Sequence, residues 1–108
     1  MDSTLQPGGH KLLTIIVDET DMAGEIPLYE AIVRKLVRLE LAGATVHSAI
    51  MGYGRHGRVH RKRLFGVSDE HPISIQVVDR EGAIRTALPE LKAMIPEGLI
   101  FLSEVEVI

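Results

Sequence analysis

Two apolar runs stand near the two ends of the chain. In HKLLTIIVD (10–18), Leu13, Ile15 and Val17 alternate with Leu12 and Ile16. In GLIFLSEVEV (98–107), Leu99 and Phe101 alternate with Ile100 and Leu102. Both predict β-strands, and an unbroken apolar run marks a strand buried on both faces. Between them the period changes. PLYEAIVRKLVRLELAG (27–43) repeats Leu28, Ile32, Leu36 and Leu39 at helical spacing, and Val33 and Val37 widen the stripe. Pro27 suits the first turn, where a missing N–H costs nothing. Glu30 and Arg34 pair one turn apart. Gly43 is expected to end the helix in a left-handed conformation. ATVHSAIMGYG (44–54) predicts a second strand, and PISIQVVD (72–79) a third that opens on Pro72. REGAIRTALPELKAMI (80–95) predicts a second helix through Ile84, Leu88, Leu91 and Ile95, with a kink or restart at Pro89. Residues 19–26 read as a polar loop, and residues 1–9 as a mobile tail punctuated by Pro7-Gly8-Gly9.

The resulting order, β-α-β-β-α-β, predicts an α+β, ferredoxin-like domain over residues 10–108. Its expected form is a four-stranded antiparallel sheet with two helices on one face. Two helices cover one face only, yet the first and last strands are apolar on both. Left exposed, the second face would be an apolar patch larger than monomers usually carry. A homo-oligomer is the expected cover.

Composition narrows the class. At 108 residues, 45% hydrophobic and 25% charged, the chain fits one soluble globular core. It has no cysteine, so neither a disulfide framework nor a thiolate site is available. No apolar run reaches the ~18 residues of a membrane helix, and the start lacks a secretory pattern. A cytoplasmic protein, not inserted in a membrane, is expected.

Charge changes the picture most. The net charge is −3, but residues 55–63 hold Arg55, Arg58, Arg61, Lys62 and Arg63 and no acid. The other residues therefore sum to −8. The cluster lies in GYGRHGRVHRKRLFG (52–66), read as a loop with one helical turn near 60–65. A basic focus on an acidic body points to a small anionic ligand rather than to nucleic acid. Gly52, Gly54 and Gly57 let backbone approach a ligand, and successive N–H groups in such turns make anion nests. Arg55 and Arg58 add bidentate phosphate contacts, and Tyr53, His56 and His60 complete the candidate set.

Competing readings carry less weight. GYGRHG also matches a dinucleotide-binding fingerprint, with Asp79 at a suitable distance, but that fold needs a sustained helix after the glycines. His56 and His60 have metal-ligand spacing, yet their cationic neighbours oppose a metal. Stacking aromatics are too few for a nucleic-acid surface. His47 and His71 read as structural, and Asp18, Glu19 and Asp21 as a solvated loop. Ser48, Ser68, Ser74 and Ser103 lack a nucleophile-elbow context, so no catalytic residue is assigned and the chain is not expected to be an enzyme.

GATVHSAIMGYGRHG (43–57) resembles the nitrogen-regulatory PII proteins through Gly43, Thr45-Val46 and Gly52-Tyr53-Gly54-Arg55. PLYEAIV, AGATV, GYG and EGLI followed by EVEV, in that order, are similar to the PII-like family called domain of unknown function 190. The resemblance implies a homotrimer with ligand clefts between subunits. It implies an adenine nucleotide as the ligand, with Thr45 near its base and Gly54, Arg55 and His56 at the root of a loop that engages a partner. Arg61, Lys62 and Arg63 would belong to that partner-binding loop. Genes of the closer family often neighbour fluoride channels, which implies a membrane transporter or channel as partner. The chain departs from PII in two places. IPEGL (95–99) replaces a lysine-bearing phosphate loop, and the arginines beyond the last PII strand are missing. The spacing from Gly43 to Gly52 is one residue longer, which leaves room for a bulge. A mononucleotide, a cyclic nucleotide or an acidic partner surface fits the remaining groups as well. The alternative is a charged protein- or nucleic-acid-binding module with no small-molecule ligand.

Overall fold

The computed structural model describes residues 5–53 and 71–108, together with the backbone of 59–61. The elements run β1 (Gly8–Asp18), β2 (Met22–Ala23), β3 (Ile26–Pro27), α1 (Leu28–Arg38), β4 (Thr45–Ser48), β5 (Met51–Tyr53), β6 (Val59–Arg61), β7 (Pro72–Asp79), α2 (Glu81–Met94) and β8 (Leu99–Val107). Four of the strands form an antiparallel sheet in the order β4-β7-β1-β8. The sequence is thus folded as an α+β, ferredoxin-like unit.

The core lies on one face of this sheet. Leu13, Ile15 and Val17 of β1 are buried with Ile73, Ile75 and Val77 of β7, since alternate residues of a strand share a face. Leu28, Ile32 and Leu36 of α1 and Ile84, Ala87 and Leu91 of α2 close over them in a single cluster. Lys35 Nζ reaches Glu90 Oε1 at 3.0 Å between the two helices.

Several local expectations are corrected. β1 begins at Gly8, so Gly8 and Gly9 are paired with Val107 and Glu106 rather than part of a tail. Residues 22–27 form a two-stranded hairpin within the expected loop, with Gly24 at φ 66° in its turn. α1 stops at Arg38, well short of Gly43, and Glu40 takes the left-handed conformation at φ 62°. Val37 faces solvent at 71% exposure instead of widening the apolar stripe. α2 runs through Pro89 without restarting. The proline lacks the N–H that would bond the Arg85 carbonyl, and here the missing bond does not end the helix.

Candidate functional site

The expected second strand is broken in two, and β7 supplies the reason. β4 pairs with β7 from Thr45↔Gln76 to Ser48↔Ile73, and the Ala49 N–H donates to the Pro72 carbonyl at 2.9 Å. Pro72 is the first residue of β7, so the strand beyond Ala49 has no partner in the sheet. Met51–Tyr53 pairs instead with Val59–Arg61, in the register Met51↔Arg61, Gly52↔His60 and Tyr53↔Val59. The break takes the place of the anticipated bulge. His60 and Arg61 lie on a strand and not on a helical turn, which also removes the helical face that would have brought His60 beside His56.

Of the candidate residues, Thr45 is exposed at the start of β4 and Tyr53 is 74% exposed on β5. The hairpin register sets Gly52 and Tyr53 against the strand that carries His60 and Arg61. Gly54, Arg55, His56, Gly57, Arg58, Lys62 and Arg63 lie outside the described residues. Gly52 has a packing reason to be glycine: a Cβ there would stand 3.0 Å from Pro72 Cγ. The hairpin root is thereby pressed against the first residue of β7.

Where the chain re-enters the described residues, a clasp holds it. His71 is 1% exposed, and its Nδ1 lies 2.8 Å from Glu19 Oε2, the ring N–H donating to the carboxylate. The Glu19 N–H in turn donates to the His71 carbonyl at 3.0 Å. Next to it, Asp21 Oδ2 accepts from the Asp18 N–H at 3.1 Å, and the Asp21 carbonyl accepts from the Leu28 N–H at 2.7 Å. The acidic turn expected to be a solvated loop is therefore a structural knot at the foot of the β5–β6 hairpin. Its sequence signal was weak, because acids that hold backbone N–H groups look like acids that face water.

Asp79 does not behave as a ribose-binding carboxylate. It is 4% exposed, and its two oxygens accept from the Ala42 N–H at 2.9 Å and the Arg80 N–H at 2.7 Å. With β6 standing where the fingerprint requires a helix, the dinucleotide-binding reading fails on two counts.

The sheet face away from the helices divides into halves. On β4 and β7 it presents Thr45, His47, Ser74 and Gln76, with the apolar Val78 at one end. On β1 and β8 it presents Leu12, Ile16, Leu99 and Phe101, with Thr14 and Ser103 among them; Leu99 is 56% and Phe101 43% exposed. The turn at 95–99 lies at the same end of the sheet as the hairpin, since Ile16 pairs with Ser74 and Leu99, but at the opposite edge. Among the described residues no group of three or more His, Asp or Glu is placed to hold a metal ion. No helix among them is long and apolar enough to cross a membrane.

A ferredoxin-like sheet whose second strand gives way to a separate hairpin, Met51–Tyr53 against Val59–Arg61, fits a PII-like fold, and comparison with known proteins agrees. The chain matches the model of domain of unknown function 190, described as "Uncharacterized ACR", over residues 10–107, and it belongs to that family. It is 35% identical over 98 residues to a UPF0166 protein of Aquifex aeolicus, covering 91% of this chain and 92% of the relative. A UPF0166 protein of Methanocaldococcus jannaschii is 37% identical over 99 residues, covering 90% of each chain. Among solved structures, CPII of Thiomonas intermedia K12, a nitrogen regulatory PII-like protein bound to ADP, AMP and bicarbonate, superposes with a TM-score of 0.71. That match has 21% identity and covers 94% of this chain and 91% of CPII. A Thermus thermophilus protein described as PII-like and signalling gives a TM-score of 0.68 at 20% identity, covering 96% of this chain and 94% of that one.

Proposed function

We propose that this chain is a ligand-responsive regulatory protein. It assembles as a homotrimer through the uncovered sheet face and binds a small anionic ligand, an adenine nucleotide in the first instance, in the clefts between subunits. The basic loop 53–66 is presented to a partner, and the ligand acts by binding two states of that loop with different affinity. The chain works by binding and not by bond-making, in the cytoplasm, with a membrane transporter or channel as the partner class. Residues 10–108 act as one unit.

One observation carries the reading. The register that seats Gly52 and Tyr53 opposite His60 and Val59 makes a paired hairpin of the approach to the basic segment, beyond the Ser48 end of β4. The mostly apolar β1/β8 side of the bare face supports the assembly, and the mostly polar side on β4 and β7 supports a cleft beside it. CPII, of the same fold, carries ADP and AMP.

Calorimetry with ADP, AMP, ATP and cyclic AMP tests the ligand. At least one should bind, and Arg55→Ala with Arg58→Ala should weaken it by about tenfold or more, as loss of charge-assisted contacts does. Absence of heat with all four on the wild type would leave the charged module without a small ligand as the standing account. Light scattering tests the assembly, with a mass three times 11.9 kDa expected.

A further inference from the structure

The two edges of the sheet are finished differently. β4 is four residues long, and the chain beyond it leaves for the separate β5–β6 ribbon. β8 runs nine residues along β1 in unbroken register, from Gly8↔Val107 to Ile16↔Leu99. It contains no proline, lysine or arginine, and the register has no bulge. Its outer row of N–H and C=O groups has no strand beside it among the described residues. A long edge of that kind is a template for another strand, and short length, proline, lysine and bulges are the usual protections.

The side chains of its second half give that edge a preference. On the helix side of the sheet Glu104 stands opposite Lys11, whose Nζ lies 3.0 Å from its Oε1. Lys11 also lies 3.9 Å from Glu81, which Arg85 holds at 3.1 Å from the next turn of α2. Arg80 turns to Asp79 instead. Glu106 stands opposite Gly9, which has no side chain to offer, and it makes no ion pair among the described residues. Two cations therefore meet three carboxylates, and Glu106 is the one left over. A Cβ at Gly9 would meet nothing within 4 Å, and an open groove of about 490 Å³ runs past it between Glu81, Glu104 and Glu106. On the other face of the same half, Ser103, Val105 and Val107 carry no charge, and the His10 ring beside Val105 is bonded to the Gly8 carbonyl at 2.9 Å.

We infer that the 103–107 half of β8 takes up an extended segment of a partner protein as a fifth strand, with lysine or arginine facing Glu106 and uncharged β-branched residues alternating with it. Main-chain hydrogen bonds along the edge supply affinity, and alternate side chains supply selection. Opposite charges across neighbouring strands attract, and like charges directly opposite destabilise. Glu104 and Glu106 thus admit a basic strand and repel an acidic one. The groove past Gly9 gives room to the long side chain that Glu106 would hold. This contact lies at the end of the sheet away from the β5–β6 hairpin. It needs no nucleotide and uses neither Leu99 nor Phe101.

Fluorescence anisotropy of a labelled, end-blocked peptide, Thr-Lys-Val-Lys-Val, tests it without nucleotide present. Saturable binding is expected, with slowed amide exchange in residues 103–107. The same peptide methylated at every backbone nitrogen keeps its charge and loses its strand hydrogen bonds, and should bind at least ~tenfold more weakly. Glu106→Lys should weaken binding by about fivefold to tenfold. Glu25→Lys makes the same change of charge in the β2–β3 turn, at the other end of the molecule, and should leave binding and thermal unfolding unchanged. Five results overturn the inference: no saturable binding, equal binding of the methylated peptide, unchanged amide exchange in 103–107, equal loss in the Glu106 and Glu25 variants, or a fall in oligomeric mass when peptide is added, which would make the edge an interface between copies. Failure here leaves the nucleotide result standing, and failure of the nucleotide titration leaves this contact standing.

Discussion

The two faces of the sheet are built from the same strands and obey different rules. On the covered face His71, just before β7, is followed along the strand by Ile73, Ile75, Val77 and Asp79, all buried. The apolar centre packs under the helices, and each polar end is held: His71 by Glu19 and Asp79 by the Ala42 and Arg80 N–H groups. On the other face β7 reads Ser74, Gln76 and Val78, all half-buried. The first face is finished within one chain. The second is mostly apolar towards β8 and mostly polar towards β4, and neither helix covers it.

The largest effect should come from the finished face. Ile75 has no exposed surface, pairs with Ile15 and belongs to the core cluster, so Ile75→Ala should cost about 2–5 kcal/mol in denaturant unfolding. A loss below that range would mean that the helices repack over the gap. On the unfinished face the same chemistry should act on assembly instead. Leu99→Asp with Phe101→Asp should reduce the light-scattering mass to that of one chain, 11.9 kDa, while circular dichroism stays that of the folded protein. If the mass is unchanged, the bare face is not where copies meet. A third substitution tests how the covered row is ended. His71→Ala removes the ring N–H that Glu19 accepts, and should cost about 1–3 kcal/mol by stripping a partner from a buried hydrogen bond. A fully neutral His71→Ala would mean that the backbone bond from Glu19 to the His71 carbonyl is a sufficient clasp.

This division also explains how far the sequence could be read. Element order, both helices and the core rows of β1 and β7 follow from apolar periodicity, which records burial directly. Apolarity on both sides of β1 and β8 announced the bare face for the same reason. What escaped depends on partners distant in sequence. Ser48 ends β4 because β7 begins at Pro72, 24 positions later, and nothing in 44–54 marks that limit. Glu19 and Asp21 look solvated until His71 and the backbone of Asp18 and Leu28 are brought to them. Of the candidate residues, Gly52, Tyr53 and Thr45 were chosen from glycine spacing and resemblance, and the structure gives their positions on β5 and β4. The pairing of Gly52 with His60 was not, because a hairpin register depends on the turn between its strands.

The smallest predicted effect lies where packing of the covered face overrules a local preference. α1 ends in a two-bond arrangement: the Leu41 N–H donates to the Leu36 carbonyl at 3.1 Å and the Glu40 N–H to the Val37 carbonyl at 3.0 Å. This is the Schellman pattern, and it requires a left-handed residue where Glu40 stands. Glycine is the usual occupant, yet Gly43 lies three residues too late. Leu36 is buried and Leu39 and Leu41 pack at the edge of the cluster, so the chain turns where those leucines need it and Glu40 accepts φ 62°. A side chain in that conformation costs about 1–2 kcal/mol, and glycine would return part of the relief as lost freedom of the unfolded chain. Glu40→Gly should therefore stabilise by about 0.5–1 kcal/mol, or raise the melting temperature of the Leu99→Asp, Phe101→Asp chain by roughly 2–8 °C. Measured in that background the shift reports the covered face alone. A decrease instead would mean that Glu40 contributes a contact worth more than its backbone strain, and that the helix end is set by the side chain rather than by the leucines around it.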